Sequence, residues 1–167
     1  MGAAARLAEL GLELPSVALP LAAYVPAVRS GAYVYTSGQL PLVAGALQAT
    51  GKVGVGDGLV SPDDAAGYAR TCALNALAAV AAVVAAEGGP QGADALDRIV
   101  HVTKVVGFVA SDPAFTGQPA VVNGASLLLH AVLGDAGVHA RSAVGVAVLP
   151  MDAPVEVEIV VELASRA

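Results

Sequence analysis

The sequence predicts a single α+β domain, in which a mixed β-sheet carries two helices on one face. Three observations lead to this fold class. A long alanine-rich segment at residues 61–87 has helix signals at both ends, a β-branched run follows at 96–110, and two further strand-like segments close the chain. The length of 167 residues fits one domain, residues 1–167, with a core of its own.

The N-terminal third is predicted to hold an extension, a hairpin and a loop. Residues 1–20 have the pattern of a short amphipathic helix followed by an extended, proline-limited segment. Residues 24–28 and 32–36 are rich in strand formers and flank a Ser-Gly turn signal, which predicts two antiparallel strands. Residues 44–60 form a glycine-rich loop insertion without a GxGxxG fingerprint between a strand and a helix, so no dinucleotide site is predicted.

The long helix has a start and a stop that can be read from local chemistry. Ser61 is the predicted N-cap, Pro62 takes the first helical position, and two acidic residues follow in the first turn. Two glycines and a proline end the helix after Glu87. Polar residues become rare after Asn75, so the second half of this helix should be covered on most sides.

The remaining elements complete a β-β-loop-α-β-α-β-β order. Residues 96–110 are predicted to form the central strand, and a second helix runs from Pro119 or Ala120 to about Leu133. With both helices on one face, the other face of the sheet lacks a cover. A trimer with its sheets turned inward would bury that face.

Composition narrows the class of protein. Hydrophobic residues make up 56% of the chain, and this excess suggests that some apolar surface is buried between subunits. The uncharged apolar run at residues 73–86 is too short to span a bilayer and predicts a core helix. Arg6 and Glu9 lie where a secretory signal would be apolar, so we expect a cytoplasmic protein without membrane association.

Charge and ligand spacing argue against two classes of partner. The net charge is −6, and the eight Lys and Arg residues are scattered without a basic cluster, which does not favour nucleic acid. Cys72 is the single cysteine, and it excludes intrachain disulfides and a multi-cysteine metal site. His101, His130 and His139 lack the spacing of metal ligands, so no metal is predicted.

Two isolated charges in the apolar C-terminal strands are the strongest functional signal. Arg141 opens one run and Glu156 the next. Such an arginine is often a strand-end charge that reaches solvent; alternatively, its planar fork binds a carboxylate or phosphate. If a tight turn joins the strands, the length of 141–149 separates the two residues by roughly 26 Å. A shared site would then need a second subunit, which predicts a closed homo-oligomer with pockets at its interfaces.

Five short motifs give the chain a resemblance to a known family. It resembles the YjgF or reactive-intermediate deaminase (Rid) family, also known as endoribonuclease L-PSP, over about residues 24–162. The matching motifs are TSGQLP at 36–41, GFV at 107–109, VN at 122–123, ARS at 140–142 and VEVE at 155–158.

The resemblance implies a chorismate-mutase-like fold assembled as a homotrimer with pockets between subunits. It further implies hydrolysis of reactive 2-enamino or 2-imino acids to 2-keto acids and ammonia, without a cofactor. In the family pattern, Arg141 holds the substrate carboxylate and Glu156 positions the hydrolytic water. An imine carbon is already electrophilic, so orientation, a water molecule and an anion-binding group suffice for this chemistry.

The same resemblance assigns pocket positions to Tyr24, Ser37, Gly38 and Asn123. Ala143 stands where the family commonly has cysteine, and since the contact there is made by the backbone, alanine fits. Without the resemblance, Ser37 and Gly38 equally fit the end of a strand. Asn123 fits a cap or loop end, and Tyr24 fits core or interface packing.

Two other functions remain open at this point. The first is a non-catalytic trimer that binds a small carboxylate or imino acid in the same pocket. The second is the endoribonuclease of the family name, although the acidic charge, the lack of a paired histidine site and the lack of a basic patch argue against it.

Overall fold

The chain forms a five-stranded mixed sheet with two long helices, and a computed structural model describes residues 1–17 and 23–165. In that part of the chain, the five strands of the sheet lie in the order β1-β2-β7-β5-β6, and β3 and β4 form a separate hairpin. Strands β5 and β6 are parallel, and the other neighbouring pairs are antiparallel. The predicted mixed α+β fold is therefore confirmed. The helices are α1 (Ala3–Glu9), α2 (Pro62–Ala86) and α3 (Gln118–Leu133), and the strands are β1 (Ala27–Ser30), β2 (Tyr33–Thr36), β3 (Leu42–Val43), β4 (Ala46–Leu47), β5 (Ile99–Ala110), β6 (Ala140–Val146) and β7 (Val155–Leu163).

The N-terminal predictions hold where the structure describes them. Strands β1 and β2 form the expected hairpin, and Gly31 takes a positive φ of 61° in its turn. The first strand begins at Ala27, three residues later than predicted. Helix α1 is short and buries Ala3 and Leu7, while residues 18–20 of the predicted extended segment lie outside the described residues.

Helix α2 begins and ends where the local signals indicate. The Ser61 hydroxyl accepts a hydrogen bond from the Asp64 backbone N–H at 3.1 Å, and Pro62 is the first helical residue. After Ala86, Gly88 adopts a φ of 83°, which a side chain would disfavour. The buried amide of Asn75 donates to the carbonyls of Leu40 and Leu42 at 3.0 and 3.1 Å, so it ties the loop to the helix.

By length and composition alone, α2 and the segment 118–137 are each able to cross a membrane. The prediction from the sequence considered the uncharged run at residues 73–86, which is too short to do so. The apolar window of α2 has a mean hydropathy of 1.7, and most of it is buried inside the protein. The core helix of a soluble protein passes the same test. The apolar composition of α2 is accounted for by its packing against α3 and β7.

The two faces of the sheet differ in what covers them. Along β7, Val157, Ile159 and Val161 are buried in the same core cluster as residues of α2 and α3. Glu156 and Glu158 alternate with them, so they lie on the face away from the helices. Both long helices therefore pack on one face, as predicted.

Two details of the C-terminal half were wrongly predicted. Residues 92–98 form a 3₁₀ helix, so the central strand begins at Ile99 and not at Leu96. The last two strands are not a tight hairpin, because β5 lies between β6 and β7. Helix α3 makes the crossover that sets β6 parallel to β5, and β7 then returns antiparallel along the other side of β5.

Candidate functional site

Arg141 lies on the edge strand β6 and reaches the side of α3. It is paired with Val105 of the central strand, so its side chain lies on the helix face of the sheet. Its Nη1 donates to Asn123 Oδ1 at 2.8 Å and to Ser126 Oγ at 3.1 Å, and its Nη2 donates to the Pro119 carbonyl at 3.1 Å. Helix α3 thus supplies every one of these acceptors.

The guanidinium of Arg141 is held by neutral groups. The three bonds use three of its five N–H donors. Within residues 1–17 and 23–165, the ion pair that is formed joins Arg29 and Glu87, and Arg141 takes part in none. Its positive charge is therefore oriented but not neutralised by the described residues.

Ser126 and His139 extend this cluster, and sequence reasoning missed both. His139 Nε2 lies 2.9 Å from Ser126 Oγ, and His139 Nδ1 lies 2.6 Å from the Gly137 carbonyl oxygen. Burial lowers the pKa of His139; the Gly137 carbonyl opposes this, and the charges of Arg141 and His101 add to the lowering. The spacing from Asn123 to Ser126 puts both on one face of a helix, which is the signal that could have found the serine.

Asn123 and Ala143 belong to the same group as Arg141. Asn123 is exposed on α3 and accepts from the guanidinium. Ala143 follows two residues after Arg141 on β6 and is paired with Gly107, so it lies on the same face of the sheet. We call Arg141, Asn123, Ala143, Ser126 and His139 the arginine half-site.

Glu156 and Gly38 form the centre of a second group, on the other face. A backbone bridge between Gln39 and Val157 sets the two segments side by side. A Cβ on Gly38 would lie 1.7 Å from Glu156 Oε1, so only glycine leaves room for this carboxylate. Burial raises the pKa of Glu156, and the neighbouring charge of Glu158 raises it further.

Ser37 precedes Gly38 in the chain, and its hydrogen bonds connect it to the segment that follows Tyr24. The Ser37 hydroxyl donates to the Val25 carbonyl at 2.6 Å, and its backbone N–H donates to the Pro26 carbonyl at 2.8 Å. These bonds hold the strand end next to the segment that carries Tyr24, whose side chain is 47% exposed. We call Glu156, Gly38, Ser37 and Tyr24 the glutamate half-site.

The two half-sites are separated by the sheet itself. Glu156 is paired with Phe108 and Arg141 with Val105, and this offset of three residues places them on opposite faces. Along the strands they differ by only about 10 Å, not the roughly 26 Å expected for a hairpin. Arg141 and Glu156 of one chain therefore do not share a pocket, as expected. The reason is that they lie on opposite faces of the sheet, and not that the strand is too long.

The described residues provide no metal centre. Within residues 1–17 and 23–165, no group of three or more His, Cys, Asp or Glu side chains is placed to hold a metal ion. The groups that these half-sites offer for chemistry are a guanidinium, a carboxylate and a serine–histidine pair.

The sequence and the fold of this chain are similar to those of proteins from one family. The profile described as "YjgF/chorismate_mutase-like, putative endoribonuclease" matches residues 4–163. Protein TCP17 of Trypanosoma cruzi is 42% identical over 163 residues, covering 96% of this chain and 93% of the relative. The crystal structure of Atu1372 from Agrobacterium tumefaciens, of unknown function, superposes with a TM-score of 0.82 at 44% identity, covering 97% of this chain and 92% of that one.

A more distant structure carries a ligand. Escherichia coli TdcF with bound serine has a TM-score of 0.57 and 25% identity, covering 91% of this chain and 94% of that one. The match of almost the whole chain to the family profile, together with the relative at 42% identity, decides the assignment. This protein belongs to the YjgF/Rid family, also known as endoribonuclease L-PSP.

Proposed function

We propose that this protein hydrolyses small 2-imino or 2-enamino acids to 2-keto acids and ammonia, in pockets between the subunits of a homotrimer. One observation carries the proposal: the guanidinium of Arg141 is held by three neutral acceptors and has no carboxylate partner among the described residues. A charge that is oriented in this way is suited to an anionic ligand from outside the chain.

The carboxylate of an imino acid fits the donors that Arg141 keeps. Two N–H groups remain after the bonds to Asn123, Ser126 and Pro119, and a carboxylate can accept two parallel hydrogen bonds from a guanidinium. The acceptors on α3 fix the plane of the fork before a ligand arrives. Such preorganisation reduces the entropy lost on binding and orients the reactive carbon next to the carboxylate.

Glu156 is suited to activate the water. Its raised pKa makes the carboxylate a stronger base than that of an exposed glutamate. The attacking water gives a proton to this carboxylate while its oxygen bonds to the imine carbon. Glu156 passes this proton to the nitrogen, which gives a neutral carbinolamine. The hydroxyl proton then moves to the nitrogen as the C–N bond breaks, so ammonia leaves and the 2-keto acid remains.

A second copy of the chain is needed to bring the half-sites together. The glutamate half-site lies on the sheet face that α2 and α3 leave uncovered, where Tyr35 and Val144 are each 44% exposed. Val144 is paired with Phe108, as is Glu156, so apolar groups surround the carboxylate on that face. Closed rotation about a three-fold axis can place the Arg141 edge of one subunit against the Glu156 face of the next.

The likeness to TdcF supports a ligand of this class. That protein was crystallised with serine, which carries a free carboxylate beside a nitrogen-bearing carbon. The same anion fit also suits a second candidate, a trimer that binds small carboxylates without turnover. The net charge of −6 does not favour the ribonuclease of the family description.

The test is trapping of the imino acid. An amino-acid oxidase generates it, semicarbazide competes for it, and the purified protein should lower semicarbazone formation and raise the yield of keto acid. Arg141→Ala should reduce this effect at least about 100-fold, since the anion contact and the orientation are both lost. Arg70→Ala removes an exposed arginine of α2 and is the matched control.

Three outcomes separate the candidates. A wild-type effect that Arg141→Ala abolishes and Arg70→Ala leaves intact supports imine hydrolysis at this site. Saturable binding of pyruvate by calorimetry, with no effect on semicarbazone formation, replaces it with the binding function. Equal imine hydrolysis by Arg141→Ala and wild type would reject the proposal that Arg141 binds the substrate carboxylate and orients the imine carbon.

A further inference from the structure

The hydroxyl of Ser126 sits between an imidazole and a guanidinium. Its Oγ lies 2.9 Å from His139 Nε2 and 3.1 Å from Arg141 Nη1. The other ring nitrogen of His139 lies 2.6 Å from the Gly137 carbonyl oxygen. These four groups belong to one chain and need no partner subunit to come together.

The partners fix the direction of each hydrogen bond. A carbonyl oxygen only accepts, so His139 Nδ1 carries a proton and donates it to Gly137. In the neutral imidazole, Nε2 is then an acceptor, and the Ser126 hydroxyl donates to it. Arg141 has donors only, so Ser126 Oγ accepts from Nη1. The serine thus faces a base through its proton and a cation through its oxygen.

The surroundings of His139 favour the neutral imidazole. Burial lowers the pKa of His139, the Gly137 carbonyl opposes this shift, and the electrostatic effects of Arg141 on β6 and His101 on β5 add to the lowering. The bond to Gly137 holds the ring in the tautomer that presents a lone pair to Ser126. A serine, a neutral histidine and a group that orients the histidine are the parts of an activated nucleophile.

We propose that Ser126 is a nucleophile activated by His139, and that the arginine half-site hydrolyses small esters whose acyl part carries a free carboxylate. Arg141 selects the substrate by its carboxylate, and the serine attacks the ester carbonyl. This activity goes beyond imine hydrolysis, because it uses no group of the glutamate half-site and no C=N bond.

The proposed reaction runs in two balanced steps. Ser126 Oγ bonds to the acyl carbon, its proton moves to His139 Nε2, and the bond from the acyl carbon to the leaving oxygen breaks as that oxygen takes the proton. Water then attacks the acyl-serine ester and gives a proton to His139. The bond to Oγ breaks and Ser126 recovers the proton, so ester and water become acid and alcohol.

The experiment compares two esters of equal chain length. Mono-4-nitrophenyl adipate carries a free carboxylate, and 4-nitrophenyl hexanoate does not. Wild-type protein should release 4-nitrophenolate from the adipate ester and carry an adipoyl group on Ser126 when quenched early and mapped by peptide mass spectrometry. Ser126→Ala and His139→Gln should each lower the rate by about 100-fold or more.

Two further variants control for specificity. Ser142→Ala removes a serine on the opposite face of the same strand, where it accepts from Lys104 at 2.9 Å, and should leave the rate unchanged. Arg141→Lys should lose the preference for the adipate ester over the hexanoate ester. A rate in Ser126→Ala equal to that of wild type, or acylation at other residues only, overturns the proposal.

Reaction with a fluorophosphonate probe provides a readout that does not depend on turnover. The probe should label Ser126 in the wild type and in Glu156→Gln, which disables imine hydrolysis, but not in His139→Gln. Absence of label on Ser126 in the wild type also overturns the proposal. Labelling in protein that shows no imine hydrolysis would reject the first function and retain this one.

Discussion

The charged side chains of the two half-sites are positioned by the uncharged groups around them. Arg141 is oriented by Asn123, Ser126 and the Pro119 carbonyl, while Gly38 leaves the space that Glu156 occupies. Each of the two charged groups thus owes its position to an uncharged neighbour. Replacement of such neighbours tests the site without removal of its charges.

The pH dependence of imine hydrolysis should respond to Glu158. The water-activating form of Glu156 is the carboxylate, so the rate should fall in acid as this group is protonated. Burial is the larger cause of its raised pKa and the charge of Glu158 the smaller. Glu158→Gln removes that second cause and should therefore lower the pKa and move the acidic limb of kcat/KM to lower pH.

Glu162→Gln is the control, since it lies further along the same face of β7. It should leave the acidic limb in place. A limb that moves equally in both variants, or moves to higher pH in Glu158→Gln, would contradict the assignment of that limb to Glu156.

At the residue scale, the sequence identified the site residues that lie within short recognisable motifs, and it did not identify those whose role depends on contacts between distant segments. The motifs around Arg141 and Glu156 were recognisable because family patterns are written along the chain. Ser126 and His139 were missed because their contact requires α3 to lie against β6, which no spacing in the sequence expresses.

At the scale of elements, close contact between α2 and α3 depends on one glycine. A Cβ on Gly124 would lie 1.8 Å from the Ala66 carbonyl oxygen, whereas a Cβ on Gly67 would meet nothing within 4 Å. Both glycines lie inside helices, so both lose the same backbone entropy relative to alanine.

The two glycines should respond to alanine with opposite signs. Gly124→Ala forces the helices apart and should lower the free energy of unfolding by about 1–3 kcal/mol. Gly67→Ala should raise it by roughly 0.5–1 kcal/mol, because only helix propensity changes. Urea unfolding followed by circular dichroism measures both, and a stabilised Gly124→Ala variant would show that the helix contact is not tight.

Element ends were predictable where capping chemistry is local, as at Ser61 and Gly88 of α2. The order of strands was not. Pairing of β5 with both β6 and β7 joins residues far apart in the chain, and a turn signal near Pro150 was compatible with a hairpin as well as with the observed longer connection. Strand pairing is a non-local property that no single segment determines.

At the scale of the whole molecule, the proposed pocket needs an arginine half-site from one subunit and a glutamate half-site from another. Arg141→Ala and Glu156→Gln should each be inactive in imine hydrolysis. Co-expressed in equal amounts, they should recover about one quarter of the wild-type activity, because three quarters of random trimers are mixed and each mixed trimer holds one intact pocket of three.

Purification through two different affinity tags isolates the mixed trimers and makes the measurement sharper. Recovery of activity in that fraction supports a shared pocket. Inactive mixed trimers would mean that both residues serve one subunit's site, and a monomeric wild type in sedimentation would remove the basis of the proposed assembly.

The position of β6 has a consequence for the fate of an isolated chain. This strand ends the sheet on one side, and the valines at positions 144, 146 and 148 are close together along its end and the residues that follow. An open strand with such a sequence is a template for further strands, and repeated addition leads to fibrils. Whatever covers β6 in solution therefore also protects the protein from self-seeded aggregation.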